Sequence, residues 1–366
     1  MLSTLFFLSC FFFFFYIQIQ FTTDLKKDGF HRFSSLAVLV QRLGRTYFHW
    51  LTGALPRLVQ YLDVLKDEPT ALARLRYLVY DEPFVVDALT LLGVDVRRQI
   101  IFFDSNSVYS AETLYASSST PCGQPSRPTL LHVKKHVYNT LYPMPGPGAP
   151  RAVIERNQRR LKYANRRGLI IVVNDKRMKN MNEITNTIRK WYVEEWKKKT
   201  GLNVEIVIVG SGRSGSGKGS GGSGNGRSGN GNGRSRSGIE SESNRRRPNG
   251  GNGGGNDGRR NGVTTMSGVK GTLLAEYSLW RRAELVVGLT SELLSNIIWC
   301  QSGTKVVELM PILPMSKGRR ASLTYADMAG SLDLTYALVP METSNVASNM
   351  TVPIPYLESA LKLVME

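Results

Sequence analysis

The sequence contains few cysteines and few acidic residues. Its 366 residues include three cysteines, which form neither a CxxC pair nor a metal-binding cluster, so a cysteine-based metal module is excluded. Cys10 lies in an apolar segment, so only Cys122 and Cys300 could form a disulfide, and two free or buried thiols are the expected state. The 29 Asp and Glu stand against 47 Lys and Arg, which gives a net charge of +18.

Much of this positive charge lies in one low-complexity stretch. Residues 213–260 contain ten Lys and Arg against three acidic residues, which is +7 of the total of +18. A Gly, Ser, Asn and Arg composition with almost no apolar residue cannot repay the entropy of ordering, so it predicts a disordered insert over residues 210–268. The insert lacks the interleaved aromatic residues on which bases stack, so nucleic acid is not an expected partner.

The first 21 residues are almost continuously apolar and rich in Phe, about the length needed to cross a bilayer. They predict a signal anchor, which could leave the following chain in the lumen of the secretory pathway. Lys26, Lys27 and Arg32 follow the segment, however, and the positive-inside rule would place the following chain in the cytosol. A truncated or wrongly assigned first exon is the alternative interpretation, in which the N-terminal lobe is incomplete.

Apolar patterning predicts two α/β lobes, at residues 22–150 and 151–366. In the first lobe we expect a helical region over 34–66 and one β-α-β unit, with strands at 77–80 and 99–103 around a helix at 84–92. In the second lobe we expect strands at 168–173 and 204–209 around a helix at 182–200 that Gly201 ends.

Residues 272–311 have the pattern of an open α/β sheet. A helix precedes a short buried strand that ends at Gly288, a tight turn leads to a helix from Ser291, and a second strand covers 305–309. In such sheets, ligands bind at the carboxyl ends of the strands.

Three blocks of the sequence carry a family resemblance. They are YFHWLTGALPRL at 47–58, KNMNE at 179–183, and AELVVG at 283–288, which continues to Asn296 and to VVE at 306–308. In this order they resemble glycosyltransferase family 61, which includes plant β-1,2-xylosyltransferase-like and O-linked N-acetylglucosaminyltransferase enzymes. The family segments read N-Y-x-H-W-x-x-E-x-L-P-R-L, R-x-x-N-E, and A-D-x-x-V-G-x-H-G-A-G-L-S-N followed by P-G-x-x-V-V-E.

The resemblance implies a two-lobed, Rossmann-type fold of the GT-B kind. It implies transfer of xylose, N-acetylglucosamine or a similar sugar from a UDP-sugar to a glycan or protein acceptor, with inversion and without a cofactor or metal. It also implies a location in the Golgi or endoplasmic reticulum membrane, with the catalytic domain in the lumen. The donor site then comprises seven residues: Lys179, Gly288, Thr290, Ser291, Ser295, Asn296 and Glu308.

The turn after Gly288 also has physical features that favour a phosphate site. A strand that turns into a helix presents backbone N–H groups and the positive end of the helix dipole, and both suit a pyrophosphate. Thr290 and Ser291 could cap the helix or donate hydroxyl protons to phosphate. Glu308 could accept hydrogen bonds from ribose hydroxyls, or it could be a strand-end residue paired with Lys305 or with solvent.

The chain departs from the family pattern within this turn. The family's His-Gly-Ala-Gly-Leu is Thr-Ser-Glu-Leu-Leu at 290–294, and Glu292 would repel a diphosphate if it faced the cleft. Gly53 replaces a Glu, and Lys179 replaces an Arg that could grip phosphate with two N–H groups. Two functions therefore stay open: an active transferase, and a non-catalytic relative that binds glycans or partner proteins.

Three histidines are candidates for chemistry. His49 is the tentative catalytic residue if it lines the cleft; alternatively, it packs against the neighbouring helix beside Trp50. His132 and His136 have the spacing of a helical metal-ligand pair, but the sequence shows no acidic or cysteine companion. No metal site is therefore expected.

Overall fold

The computed structural model describes eleven segments of the chain. They are residues 29–41, 43–117, 126–143, 145–146, 150–165, 168–201, 203–210, 263–266, 272–312, 323–343 and 349–366. The predicted signal anchor at residues 1–21 and most of the predicted insert lie outside them.

The first lobe is built on a four-stranded parallel sheet with the order β3-β2-β1-β4. Its strands are β1 (Phe30–Val38), β2 (Arg76–Val79), β3 (Ile100–Phe102) and β4 (Val108–Tyr115). Its helical elements are α1 (Tyr47–His49), a π-helical segment (Trp50–Ala54), α2 (Leu55–Val64), α3 (Pro69–Arg74), α4 (Pro83–Leu91), α5 (Val96–Gln99) and α6 (Arg127–Leu141). Helix α7 (Arg151–Asn165) follows in the chain and precedes the first strand of the second lobe.

The prediction of a helical region over residues 34–66 is wrong at its beginning. Residues 34–38 belong to β1, and helical structure starts at Tyr47. Leu36 and Ala37 are buried, and β1 pairs with β2 on one side and β4 on the other, so it is an inner strand of the sheet. A short apolar run fits a buried strand as well as a helix, which is why the periodicity misled. The predicted β-α-β unit is confirmed as β2-α4-β3.

The second lobe is built on a six-stranded parallel sheet with the order β10-β9-β8-β5-β6-β7. Its strands are β5 (Leu169–Asn174), β6 (Glu205–Gly210), β7 (Val263–Met266), β8 (Ala283–Leu289), β9 (Lys305–Ile312) and β10 (Thr335–Glu342). Its helical elements are α8 (Met181–Ile188), a π-helical segment (Arg189–Val193), α9 (Glu194–Thr200), α10 (Leu273–Trp280), a 3₁₀ segment (Glu292–Trp299), α11 (Thr324–Ser331) and α12 (Ile354–Leu363).

The second sheet is doubly wound. The chain moves outward from β5 to β6 and β7, returns to the other side of β5 with β8, and continues to β9 and β10. This is the strand order of a Rossmann fold, and the predicted α/β class is confirmed. All seven residues of β8 are buried, because an inner parallel strand is covered on both faces. Gly201 ends α9 in a left-handed conformation with φ 69°, as predicted.

Strand β7 lies inside residues 210–268, which the sequence analysis assigned to the insert. Val263–Met266 pairs with β6 in parallel register, and Gly210 is the last residue of β6. A four-residue strand with Val and Thr is hidden when composition is averaged over about fifty Gly-rich residues.

One apolar core extends through both lobes. A single cluster of buried side chains includes Leu58 and Tyr77 from the first lobe and Val286 and Trp299 from the second. A second cluster covers the other face of the six-stranded sheet, beneath α8 and α12. The two lobes are therefore packed against each other through apolar side chains.

Two further findings concern the cysteines and the predicted membrane segment. Cys300 is a buried thiol that is not part of a disulfide, as expected, while Cys10 and Cys122 lie outside the described residues. In the part of the chain that the structure describes, we find no helix with the length and apolar character required to span a membrane.

Candidate functional site

The strand order locates a crevice in each sheet. In the second sheet the chain reverses direction between β5 and β8, so the crevice lies where β5 ends at Asn174 and β8 ends at Leu289. In the first sheet the reversal lies between β1 and β4. Ligands of doubly wound folds bind at such switch points, beyond the carboxyl ends of the strands.

The segments that follow the two switch-point strands contact each other. The backbone N–H of Tyr47, which begins α1 after β1, donates to Glu292 Oε2 at 3.2 Å. Phe48 packs edge-on against Tyr325, with ring centroids 5.8 Å apart. Tyr325 in turn donates its hydroxyl proton to the carbonyl of Ser291 at 2.6 Å. The turn after β8 therefore faces the first lobe.

Thr290 and Glu308 are linked inside the second lobe. Thr290 Oγ1 donates to Glu308 Oε1 at 2.5 Å, and the Tyr336 hydroxyl donates to Glu308 Oε2 at 2.6 Å. Glu308 is fully buried, and this burial raises the pKa of its carboxyl, while the two hydroxyl donors oppose the rise. The predicted pairing of Glu308 with Lys305 or with solvent is wrong, because Lys305 pairs with Glu284 at 2.7 Å and Glu308 is buried.

The two serines of the predicted donor site differ in their partners. Ser291 occupies the cap position of the 3₁₀ segment but makes no side-chain cap bond, so the predicted cap is not formed. Its hydroxyl is buried, and no protein group among the described residues bonds it. Ser295 donates to the carbonyl of Glu292 and is fully buried.

A polar cluster that the sequence analysis missed lies beneath the turn. The Tyr47 hydroxyl contacts the Glu276 carboxyl and Asn296 Oδ1, the latter at 2.7 Å. Burial raises the pKa of Glu276 to about 7, and the negative charge of Asp87 adds to the rise. A protonated Glu276 can donate to Tyr47 while Tyr47 donates to Asn296, so both contacts are satisfied at once. We call these three residues the interlobe cluster.

His49 and Glu292 are brought close together across the lobe boundary. Burial lowers the pKa of His49, and the negative charge of Glu292 opposes this shift. The His49 ring packs edge-on against Phe48, with centroids 5.1 Å apart, and its carbonyl accepts from Gln41 Nε2 at 2.7 Å. The ring therefore packs on a residue of its own helix and lies near the turn after β8.

Lys179 and Gly288 occupy different environments. Lys179 is an exposed residue of the loop between β5 and α8, where its backbone N–H donates to the Met350 carbonyl at 2.9 Å. Gly288 is buried within β8, opposite Val173 of β5. A Cβ at Gly288 would lie 2.8 Å from Val173 Cβ, so the glycine is needed for close packing between the two strands.

Substitution of Gly288 by Ala should therefore destabilise the fold. The added methyl group meets a β-branched side chain that cannot rotate away, so we expect a loss of about 1–3 kcal/mol in the free energy of unfolding, measured by urea denaturation. Gly330→Ala is the matched control, because a Cβ there has nothing within 4 Å and the residue lies in α11. Equal stability of the two variants would contradict the packing argument.

Asp63 is an acidic neighbour of the His132 and His136 pair, which the sequence analysis did not predict. His132 Nε2 lies 2.6 Å from Asp63 Oδ2, and His136 Nδ1 lies 3.1 Å from Asp63 Oδ1. The two rings thus bond the carboxylate directly. Among the described residues, no three His, Cys, Asp or Glu side chains are arranged to hold a metal ion.

The fold and the two facing crevices define a doubly wound α/β protein with a second parallel-sheet lobe. Comparison with protein-family models gives no match for this chain, and comparison with the curated proteins gives none.

Proposed function

We propose that this chain is a GT-B-like glycosyltransferase that transfers a sugar of the xylose or N-acetylglucosamine class from a UDP-sugar to a glycan or protein acceptor, with inversion. The observation that carries the proposal is the contact between the segments after β1 and β8, through Tyr47 and Glu292. Each segment follows a switch-point strand, so a donor on one lobe and an acceptor on the other would meet at this boundary.

Two unpaired polar groups support a ligand at the turn after β8. Ser291 Oγ and Asn296 Nδ2 are buried and have no hydrogen-bond partner among the described residues. A buried polar group without a partner costs about 1–3 kcal/mol, and binding sites are where such groups find their partners in a ligand. Both residues belong to the donor site that the family resemblance implies. The signal anchor and the Golgi or endoplasmic reticulum location belong to the same proposal.

A specific observation favours the second candidate, a non-catalytic glycan- or partner-binding relative. The turn after β8 is held by protein groups, because Thr290 bonds Glu308 and Glu292 bonds Tyr47. Glu292 also brings a negative charge to the place where a diphosphate would lie.

Titration with UDP and UDP-sugars, followed by thermal unfolding, separates the two candidates. For a transferase we expect stabilisation by about 2.7 kcal/mol at 100 times the Kd, which raises Tm by several degrees. The effect should be lost in Lys179→Ala and retained in Lys66→Ala, another exposed lysine. No response at millimolar UDP would favour the non-catalytic relative.

A further inference from the structure

Arg57 is a buried cation without an acidic partner among the described residues. The residue lies on α2 and is 8% exposed. Its Nη2 donates to Gln41 Oε1, and its Nε donates to the Gly53 carbonyl at 3.2 Å. In the described part of the chain, no carboxylate forms an ion pair with it. Burial of a charge is costly unless an opposite charge compensates it, and no described residue supplies that charge to Arg57.

The local sequence explains why the partner is neutral. Gly53 precedes Arg57 by one helical turn, where a side chain would reach the guanidinium. A Cβ at Gly53 would lie 2.5 Å from Gln41 Nε2, so the Gln41 amide occupies that space. The amide is oriented by its two bonds, because its oxygen accepts from Arg57 and its nitrogen donates to the His49 carbonyl. Gln41 thus supplies an acceptor but no charge.

A second guanidinium, that of Arg45, is linked to the same glutamine through Tyr80. Arg45 is exposed and stacks over the Tyr80 ring, with its Cζ 5.1 Å from the ring centroid. Tyr80 donates its hydroxyl proton to the Gln41 carbonyl at 2.9 Å. No acidic partner of Arg45 occurs among the described residues. Arg45 and Gln41 both belong to the connection after β1, at the switch point of the first sheet.

We propose that Arg57 and Arg45 bind an anionic group, a carboxylate or a phosphate, at the carboxyl edge of the first sheet. A guanidinium offers five N–H donors in a planar fork that matches both groups, and Arg57 uses two of its donors on described protein acceptors. A bound anion supplies the charge that Gln41 does not. The site lies in the first lobe and contains none of the seven predicted donor-site residues, so it does not rest on transferase activity.

The test is thermal unfolding of the full chain with three separate probes at constant ionic strength: inorganic phosphate, glucuronate, and glucose as the uncharged control. We expect a saturable rise in Tm with phosphate or glucuronate at millimolar concentration and no rise with glucose. A response to phosphate alone assigns a phosphate site, and a response to glucuronate alone assigns a carboxylate site. No saturable response to either anion overturns the proposal.

Two variants assign the response to this site. Gln41→Glu places an internal carboxylate beside Arg57, so anion affinity should fall at least tenfold. Arg45→Gln alters an exposed side chain and should weaken binding several-fold without affecting folding. Arg98→Gln removes an exposed arginine of α5 and should bind like the wild type. Wild-type affinity in both Gln41→Glu and Arg45→Gln would overturn the proposal. A UDP response that depends on Lys179 is a separate result.

Discussion

Replacement of Glu276 by Gln will stabilise the protein at pH 8 and remove a pH dependence that the wild type shows. Glu276 is half-buried against Tyr47, faces the negative charge of Asp87, and has its pKa raised to about 7 by burial. At pH 8 the wild-type carboxyl is ionised in the folded state, and none of the groups that shift its pKa is a cation. Gln has the same shape, carries no charge, and can donate to the Tyr47 hydroxyl.

The direction of the pH dependence follows from the raised pKa. The proton on Glu276 stabilises the fold fully below pH 4.5, its ordinary pKa, and this contribution is lost as pH rises to about 7. The loss in the free energy of unfolding amounts to roughly 3 kcal/mol, because each unit between the ordinary and the folded pKa corresponds to about 1.4 kcal/mol. Urea denaturation at pH 5, 6, 7 and 8 should show this fall in the wild type and not in Glu276→Gln.

A control separates this effect from general surface charge. Glu112→Gln removes an exposed carboxylate that pairs with Arg32 at 3.7 Å, and such surface pairs contribute little. Its pH dependence should follow the wild type. If Glu276→Gln shows the same fall as the wild type, another group is responsible for the dependence.

Replacement of Thr290 by Val will destabilise the second lobe. The Thr290 hydroxyl is one of two donors to the fully buried Glu308, and Val keeps the shape but cannot donate. A hydrogen bond contributes about 1 kcal/mol between neutral groups and about 1.5–3 kcal/mol to a charged group, so we expect a loss of about 1–3 kcal/mol in the free energy of unfolding at pH 8. The donor lowers the pKa of Glu308, so its removal raises that pKa further, and the loss should shrink at acidic pH.

The matched variant for this prediction is Thr290→Ser, which keeps the hydroxyl and should retain most of the stability. Tyr336→Phe removes the other donor to Glu308 and should resemble Thr290→Val in size and pH dependence. A Thr290→Val variant as stable as Thr290→Ser would show that the bond to Glu308 does not contribute.

Sequence reasoning predicted most of the second sheet, and the physical reason is burial. Inner parallel strands such as β5 and β8 are apolar along their whole length, so they are visible without an alignment. The left-handed Gly201 likewise marked the end of α9. β4 was missed because its sequence VYSAETLY is half polar and belongs to an edge strand.

The candidate site could be predicted only where its residues are local in sequence. The turn after β8 was placed correctly because a glycine and a strand pattern precede it. The interlobe cluster was invisible, since Tyr47 and Glu276 are 229 residues apart and neither has a special local pattern. The bond between Thr290 and Glu308 depends on the register of β8 and β9, which pairs Gly288 with Glu308. The apolar pattern of one strand does not indicate its register against the neighbouring strand.

The apolar core shared by the two lobes limits how the boundary can move. A hinge between independent lobes needs an interface that can separate and re-form, as polar domain interfaces do. Here separation would divide one buried cluster, which includes Leu58 and Trp299, and would also break the Tyr47 to Asn296 bond. The lobes should therefore behave as one cooperative unit, in which any opening for a ligand comes from side chains and loops at the crevice mouth.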